Sequence, residues 1–113
     1  MAYGKIGRAL ENLLTNAVKH GEVGRPITVA VQELMNEIKI SVHNEGKPIP
    51  VEEQSAVFEP FFRSKTVRFG KQKGWGLGLT LVQGIVEAHG GKIELVSNAD
   101  YGTTFSIIFP KTP

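Results

Sequence analysis

No cysteine occurs anywhere in the sequence. Disulfides, thiolate metal sites and a cysteine nucleophile are therefore excluded, and a reducing, cytoplasmic setting is the expectation. Long hydrophobic runs are missing too. None approaches the roughly 18 apolar residues that a membrane span requires. The N-terminus shows no signal-peptide pattern, so no membrane contact is expected of this segment. Net charge is only +2, which gives no ground to expect nucleic acid as a partner. Internal repeats and low-complexity tracts are absent as well. What remains is an ordinary globular composition, 41% hydrophobic and 21% charged over 113 residues. That length suits one domain with one core. The local imbalance is basic: Arg63, Lys65, Arg68, Lys71 and Lys73 fall together with no acid among them.

Residues 5–20 read as a helix, because Leu10, Leu13, Leu14 and Ala17 recur at helical spacing. Lys19 and His20 occupy its last turn, where cations suit the dipole, and Gly21 ends it. Ile27 to Val31 is β-rich and Glu37 to His43 alternates strictly, so both read as strands of a hairpin. Gly46, Pro48 and Pro50 then break regular structure. Pro50, Glu52 and Glu53 open a short helix over Val51 to Phe58. Residues 60–76 have no periodicity and read as a long loop. Leu79 to His89 forms another helix, stopped by Gly90 and Gly91. Lys92 to Ser97 and Thr103 to Phe109 read as a second hairpin around the turn residues Asn98 to Gly102. This order favours an α+β fold: a two-layer sandwich with helices on one face of a mixed, mostly antiparallel sheet.

Two segments carry chemistry. On the first helix Asn12, Asn16, Lys19 and His20 line one side, opposite the apolar face. Asn is a poor helix-interior residue, because its amide competes for the backbone. A solvated face with two chance asparagines is one explanation. The other is an array of neutral oxygens and a cation set toward a charged ligand, with amide oxygens suited to Mg²⁺ and Lys19 to phosphate. The second segment, Gly74-Trp75-Gly76-Leu77-Gly78-Leu79, runs straight into a helix. Glycines admit close backbone approach, and a helix N-terminus offers free N–H donors to an anion. The string fits neither the Walker nor the dinucleotide-binding pattern, so alone it reads rather as a flexible connector with a solvated charge run.

In order along the chain these pieces resemble the catalytic domain of sensor histidine kinases. Asn12 to His20 looks like the N box, and Asn44-Glu45-Gly46-Lys47-Pro48-Ile49 resembles the first glycine box. Val57 to Arg63 looks like the F box, and Gly74 to Leu79 the second glycine box. His89-Gly90-Gly91 and Gly102-Thr103-Thr104-Phe105 resemble the closing segment. Val42 to Gly46 with Gly74-Trp75-Gly76 is most similar to the bacteriophytochrome-like branch. The resemblance covers almost the whole chain and implies the Bergerat ATP-binding fold over residues 1–113.

It also implies roles. Asn16 would hold Mg²⁺, with Asn12 beside it. Lys19 and His20 would face the phosphates or nucleoside, and Arg63 the terminal phosphate. Asn16, Lys19 and Arg63 would thus be the catalytic set. Residues 64–73 would be a lid hinged at Phe61 and Phe62, while Phe58 packs in the core. Gly74, Gly76, Leu77 and Gly78 would shape the phosphate pocket. Asn44, Gly46, Ile49 and Thr103 would lie about the adenine. The reaction implied is transfer of the ATP γ-phosphate to a histidine on a separate phosphoacceptor and dimerisation domain, with a response regulator acting downstream.

The sequence departs from the family in four respects. The first glycine box usually opens with Asp, which accepts from the adenine amino group, and here it is Asn44. A neutral acceptor in place of a charged one costs about 1 kcal/mol, roughly fivefold in affinity. Pro48 replaces a glycine and removes a backbone donor. His20, His43 and His89 all lack the context of a phosphoacceptor, so little turnover is expected of this segment alone. The family places a further strand upstream of the N box, so the resemblance implies an N-terminally truncated domain with an open sheet edge. Alternatives of the same fold are a dimerising ATPase with Glu11 as hydrolytic carboxylate, and a serine kinase of the anti-sigma type. A degenerate nucleotide pocket kept as a docking module is a further one.

Overall fold

A computed structural model of the chain describes residues 2–59 and 78–111. Ala9, Leu13 and Ala17 are buried along one side of helix α1 (Ala2–His20) and seat it on the core. Strands β1 (Ile27–Glu33) and β2 (Glu37–Asn44) form the first hairpin. Two short 3-10 turns follow, Val51–Glu53 and Ala56–Phe58, where a single short helix is expected from sequence. Their backbone bonds close at i−3, Glu53 to Pro50 and Gln54 to Val51, and the Gln54 side chain is drawn away to Ile49 and Ser97. Helix α2 (Gly78–Ala88) then precedes the second hairpin, β3 (Lys92–Asn98) and β4 (Gly102–Pro110).

The sheet order is β1-β2-β4-β3, and every pairing is antiparallel. Alternation sorts its faces. Val42, Ile40, Phe105, Ile107 and Phe109 share the face that meets the helices, with Ile93 and Leu95 beside them. Leu79, Val82, Ile85 and Val86 close that core from α2, and Phe58 meets Phe105 edge-on at 6.1 Å. Each such buried side chain contributes about 1.5–3 kcal/mol of transfer free energy. On the opposite face polar pairs span the strands: Ser41 with Ser106 at 2.8 Å, and His43 Nδ1 with Thr104 Oγ1 at 2.8 Å.

The end of α2 follows its glycines. Gly90 has φ 77°, and the Gly91 N–H reaches the Val86 carbonyl at 2.9 Å while Gly90 N–H reaches that of Glu87. That left-handed cap is open to glycine at little cost. His89 turns back on the same helix end, with Nδ1 2.7 Å from the Ile85 carbonyl and its ring edge-on to Phe109.

Candidate functional site

The asparagine stripe of α1 does not lie opposite the apolar face, as its spacing suggests. Asn16 is buried at 7% exposure, at the flank of that face. The reason is α2, which packs beside α1 and brings its first residue, Gly78, against the amides. A Cβ at position 78 would lie 3.3 Å from Asn12 Oδ1 and 4.0 Å from Asn16 Nδ2. A larger residue there would press on the Asn12 amide. Asn12 Nδ2 donates to the Arg8 carbonyl at 2.9 Å, which leaves its oxygen turned to Gly78. Among the described residues, Asn16 Nδ2 is buried with no hydrogen-bond partner. Leaving a buried amide unpaired costs about 1–3 kcal/mol, so such a group calls for a ligand. The two amide atoms can exchange places by rotation, so the same group offers an oxygen to a hard cation. The N-terminal end of α2 adds partial positive charge beside it.

The other end of the site is built from strand ends. Asn44 and Thr103 sit opposite each other where β2 ends and β4 begins, both buried. Ile49 is buried nearby, and its N–H donates to Ser97 Oγ at 2.8 Å. Ser97 Oγ in turn lies 2.7 Å from Thr103 Oγ1. Gln54 Nε2 donates to the Ile49 and Ser97 carbonyls at 3.0 and 3.3 Å. One side chain on a short turn and one on β3 thus fix both Ile49 and Thr103. Neither Ser97 nor Gln54 is flagged by sequence pattern, because each bridges segments more than forty residues apart.

The exit of α1 closes this corner. Gly21 N–H bonds the Ala17 carbonyl at 2.8 Å, and Glu22 N–H bonds that of Glu45 at 2.7 Å. Side chains are excluded around Asn44. A Cβ on Gly21 would lie 3.3 Å from Asn44 Cβ, and one on Gly102, whose φ is 88°, would run into the Asn44 carbonyl oxygen. Gly46 lies against the same helix exit, where a Cβ would be 3.2 Å from Glu22 N and 3.4 Å from the His20 carbonyl. His20 is half-buried and Lys19 exposed on the last turn of α1. Glu11 is exposed as well. Arg63, Gly74, Gly76 and Leu77 lie outside the described residues, as do Phe61, Phe62 and the segment 64–73. A separate open cleft of about 400 Å³ lies at the same corner, lined by His43, Glu45, Arg25 and Tyr101. It is polar and open, and His43 bonds there on the side of the sheet away from the helices. The Arg25 guanidinium is pushed above its usual pKa by its hydrogen bond to Glu22 and by the charge of Glu45.

Paired helix amides against a glycine-led helix start, together with a buried amide and hydroxyl on strand ends, agree with the resemblance seen in sequence. Residues 3–113 match the model of the histidine kinase-, DNA gyrase B- and HSP90-like ATPases. The chain belongs to this family. Within it, the chain is 38% identical over 104 residues to the probable sensor kinase SilS of Salmonella typhimurium, covering 92% of this chain and 21% of that protein. The catalytic domain of the histidine kinase ThkA superimposes with a TM-score of 0.81 at 34% identity, covering 97% of this chain and 69% of that one. Full-length ShkA in complex with AMPPNP gives a TM-score of 0.78 at 25% identity, covering 95% and 21%. The chain therefore spans about a fifth of the length of the curated relatives it matches. The α+β fold, the family and its ATP-binding catalytic character are as the sequence led one to expect.

Proposed function

We propose that this domain holds Mg-ATP between α1, α2 and the ends of β2 and β4, and donates the γ-phosphoryl group to a histidine on a separate phosphoacceptor and dimerisation domain. Asn16 Nδ2, buried beside the start of α2 and without a partner among the described residues, carries this reading. Asn16 would hold the metal ion, with Asn12 beside it. The ion supplies neutralisation of the β- and γ-phosphates. Lys19 and His20 would face the phosphates or nucleoside, Arg63 the terminal phosphate, and Gly74, Gly76, Leu77 and Gly78 the phosphate chain. Asn44, Gly46, Ile49 and Thr103 would enclose the base. In the transfer a P–O bond to the ADP leaving group breaks and a P–N bond to the acceptor imidazole forms. The imidazole proton leaves to an acid residue beside the acceptor, outside this chain. These residues therefore position and balance charge, which is most of what phosphoryl transfer requires.

A response regulator would receive the phosphoryl group next, and the setting would be cytoplasmic. Among the described residues no helix is long and apolar enough to cross a membrane. The AMPPNP held by ShkA supports the nucleotide reading.

Calorimetric titration with a non-hydrolysable ATP analogue tests it. Magnesium-dependent binding is expected for the parent chain. Asn16→Ala should lose most of the magnesium dependence while leaving thermal stability equal or higher, since it removes an unpaired buried group. Binding that ignores magnesium in the parent, or an Asn16→Ala variant with intact magnesium dependence, would overturn the assignment.

A further inference from the structure

We infer that the base pocket accepts guanine as well as adenine nucleotides, because both polar groups that line it can invert their hydrogen-bonding sense. This rests on the nucleotide reading given above. The two ends of the site differ in kind. The α2 end carries the helix dipole and the Asn12–Asn16 amides, which suits phosphates. The far end carries a buried amide, a buried hydroxyl and the apolar Ile49, which suits a flat neutral base.

Adenine presents an amino donor at position 6, and guanine an acceptor oxygen at the same place. A carboxylate is an acceptor only, so it would pair with the first and repel the second. Asn44 has one acceptor and two donors on a single planar group. Rotation about its last torsion exchanges them without moving the backbone. Little holds it in one setting: Asn44 Nδ2 lies 3.5 Å from the Glu45 carbonyl, at the outer edge of hydrogen bonding. Its burial at 6% exposure means that a mismatch there is not repaired by bulk water.

Thr103 has the same freedom for a different reason. Ser97 Oγ accepts from Ile49 N–H, so its own proton can point at Thr103 Oγ1, or Thr103 can donate to it. In the first setting Thr103 has a proton to offer the base, and in the second a lone pair. Adenine N1 accepts and guanine N1–H donates, so the hydroxyl pair can follow the exchange made at Asn44. The pattern at position 6 and N1 reverses by one amide rotation and two hydroxyl turns.

The test is competition binding of non-hydrolysable ATP and GTP analogues, with magnesium, to the parent chain and to Asn44→Asp and Asn44→Ala. The parent should bind the two analogues within roughly tenfold of each other. Asn44→Asp should tighten the adenine analogue about fivefold and weaken the guanine analogue about tenfold or more, widening the parent's ratio by roughly fiftyfold. Asn44→Ala should weaken both and leave the ratio near that of the parent. A parent that rejects the guanine analogue by on the order of a hundredfold overturns the inference and leaves the nucleotide reading standing. So does an Asn44→Asp protein that binds adenine with an unchanged ratio. A folded parent that binds neither analogue overturns the nucleotide reading, and this inference with it.

Discussion

Strands β1 and β4 belong to one sheet and carry similar β-rich sequences, yet they live in opposite environments. In β4 Ile107 is fully buried, with Phe105 and Phe109 on the same face beneath the helices. In β1 Val29 and Val31 stand on that same face, opposite Val42 and Ile40, and are 50% and 69% exposed. Alternation tells which face a side chain takes. It does not tell whether anything covers the face. That is decided by place in the sheet, where β4 is flanked on both sides and β1 is an edge. The candidate site follows the same division. Asn44 and Thr103 stand at the ends of the two central strands, where the backbone is fixed by ladders on both sides.

Substitutions can sharpen this contrast. Ile107→Ala should have the largest effect, a loss of about 2–5 kcal/mol in urea unfolding, because the cavity is walled by both layers. Ser97→Ala comes next. It removes the acceptor for Ile49 N–H and the partner of Thr103, so about 1–3 kcal/mol of stability should go, with weaker nucleotide binding in the same titration. Restoring the hydroxyl with Ser97→Thr should recover binding if the hydroxyl positions Ile49 and Thr103. Val29→Thr should change the unfolding midpoint least, by within about 0.5 kcal/mol, as at other exposed positions. A Val29→Thr loss as large as that of Ile107→Ala would break the contrast, and would mean that β1 is covered in solution.

Much of this architecture is legible in the sequence, for identifiable reasons. Both helices and β2 announce themselves by period, the other strands by β-rich runs and turn residues, and the Asn12–Asn16 pair stands out because asparagine is a poor helix-interior residue. The burial of Asn16 is not legible, since it depends on α2 packing beside α1. The turns of residues 51–58 read as one helix because proline and acids mark a helix start, while the pull of Ile49 and Ser97 on Gln54 leaves no trace in local pattern. Ser97 shows the same limit. A serine near a turn is unremarkable until Ile49 and Thr103 are found beside it.

The packing around Asn44 also bears on how such a sequence can drift. A side chain at 21 or 102 meets the Cβ or carbonyl of residue 44, whatever that residue is. Those two positions are closed to most mutations. The terminal atoms of residue 44 answer to the pocket instead, and one nucleotide substitution turns an asparagine codon into an aspartate codon. Under the proposed assignment of Asn44 to the base, the preference for one purine over another would be rewritten in a single mutational step, while the scaffold that presents it stays locked against change.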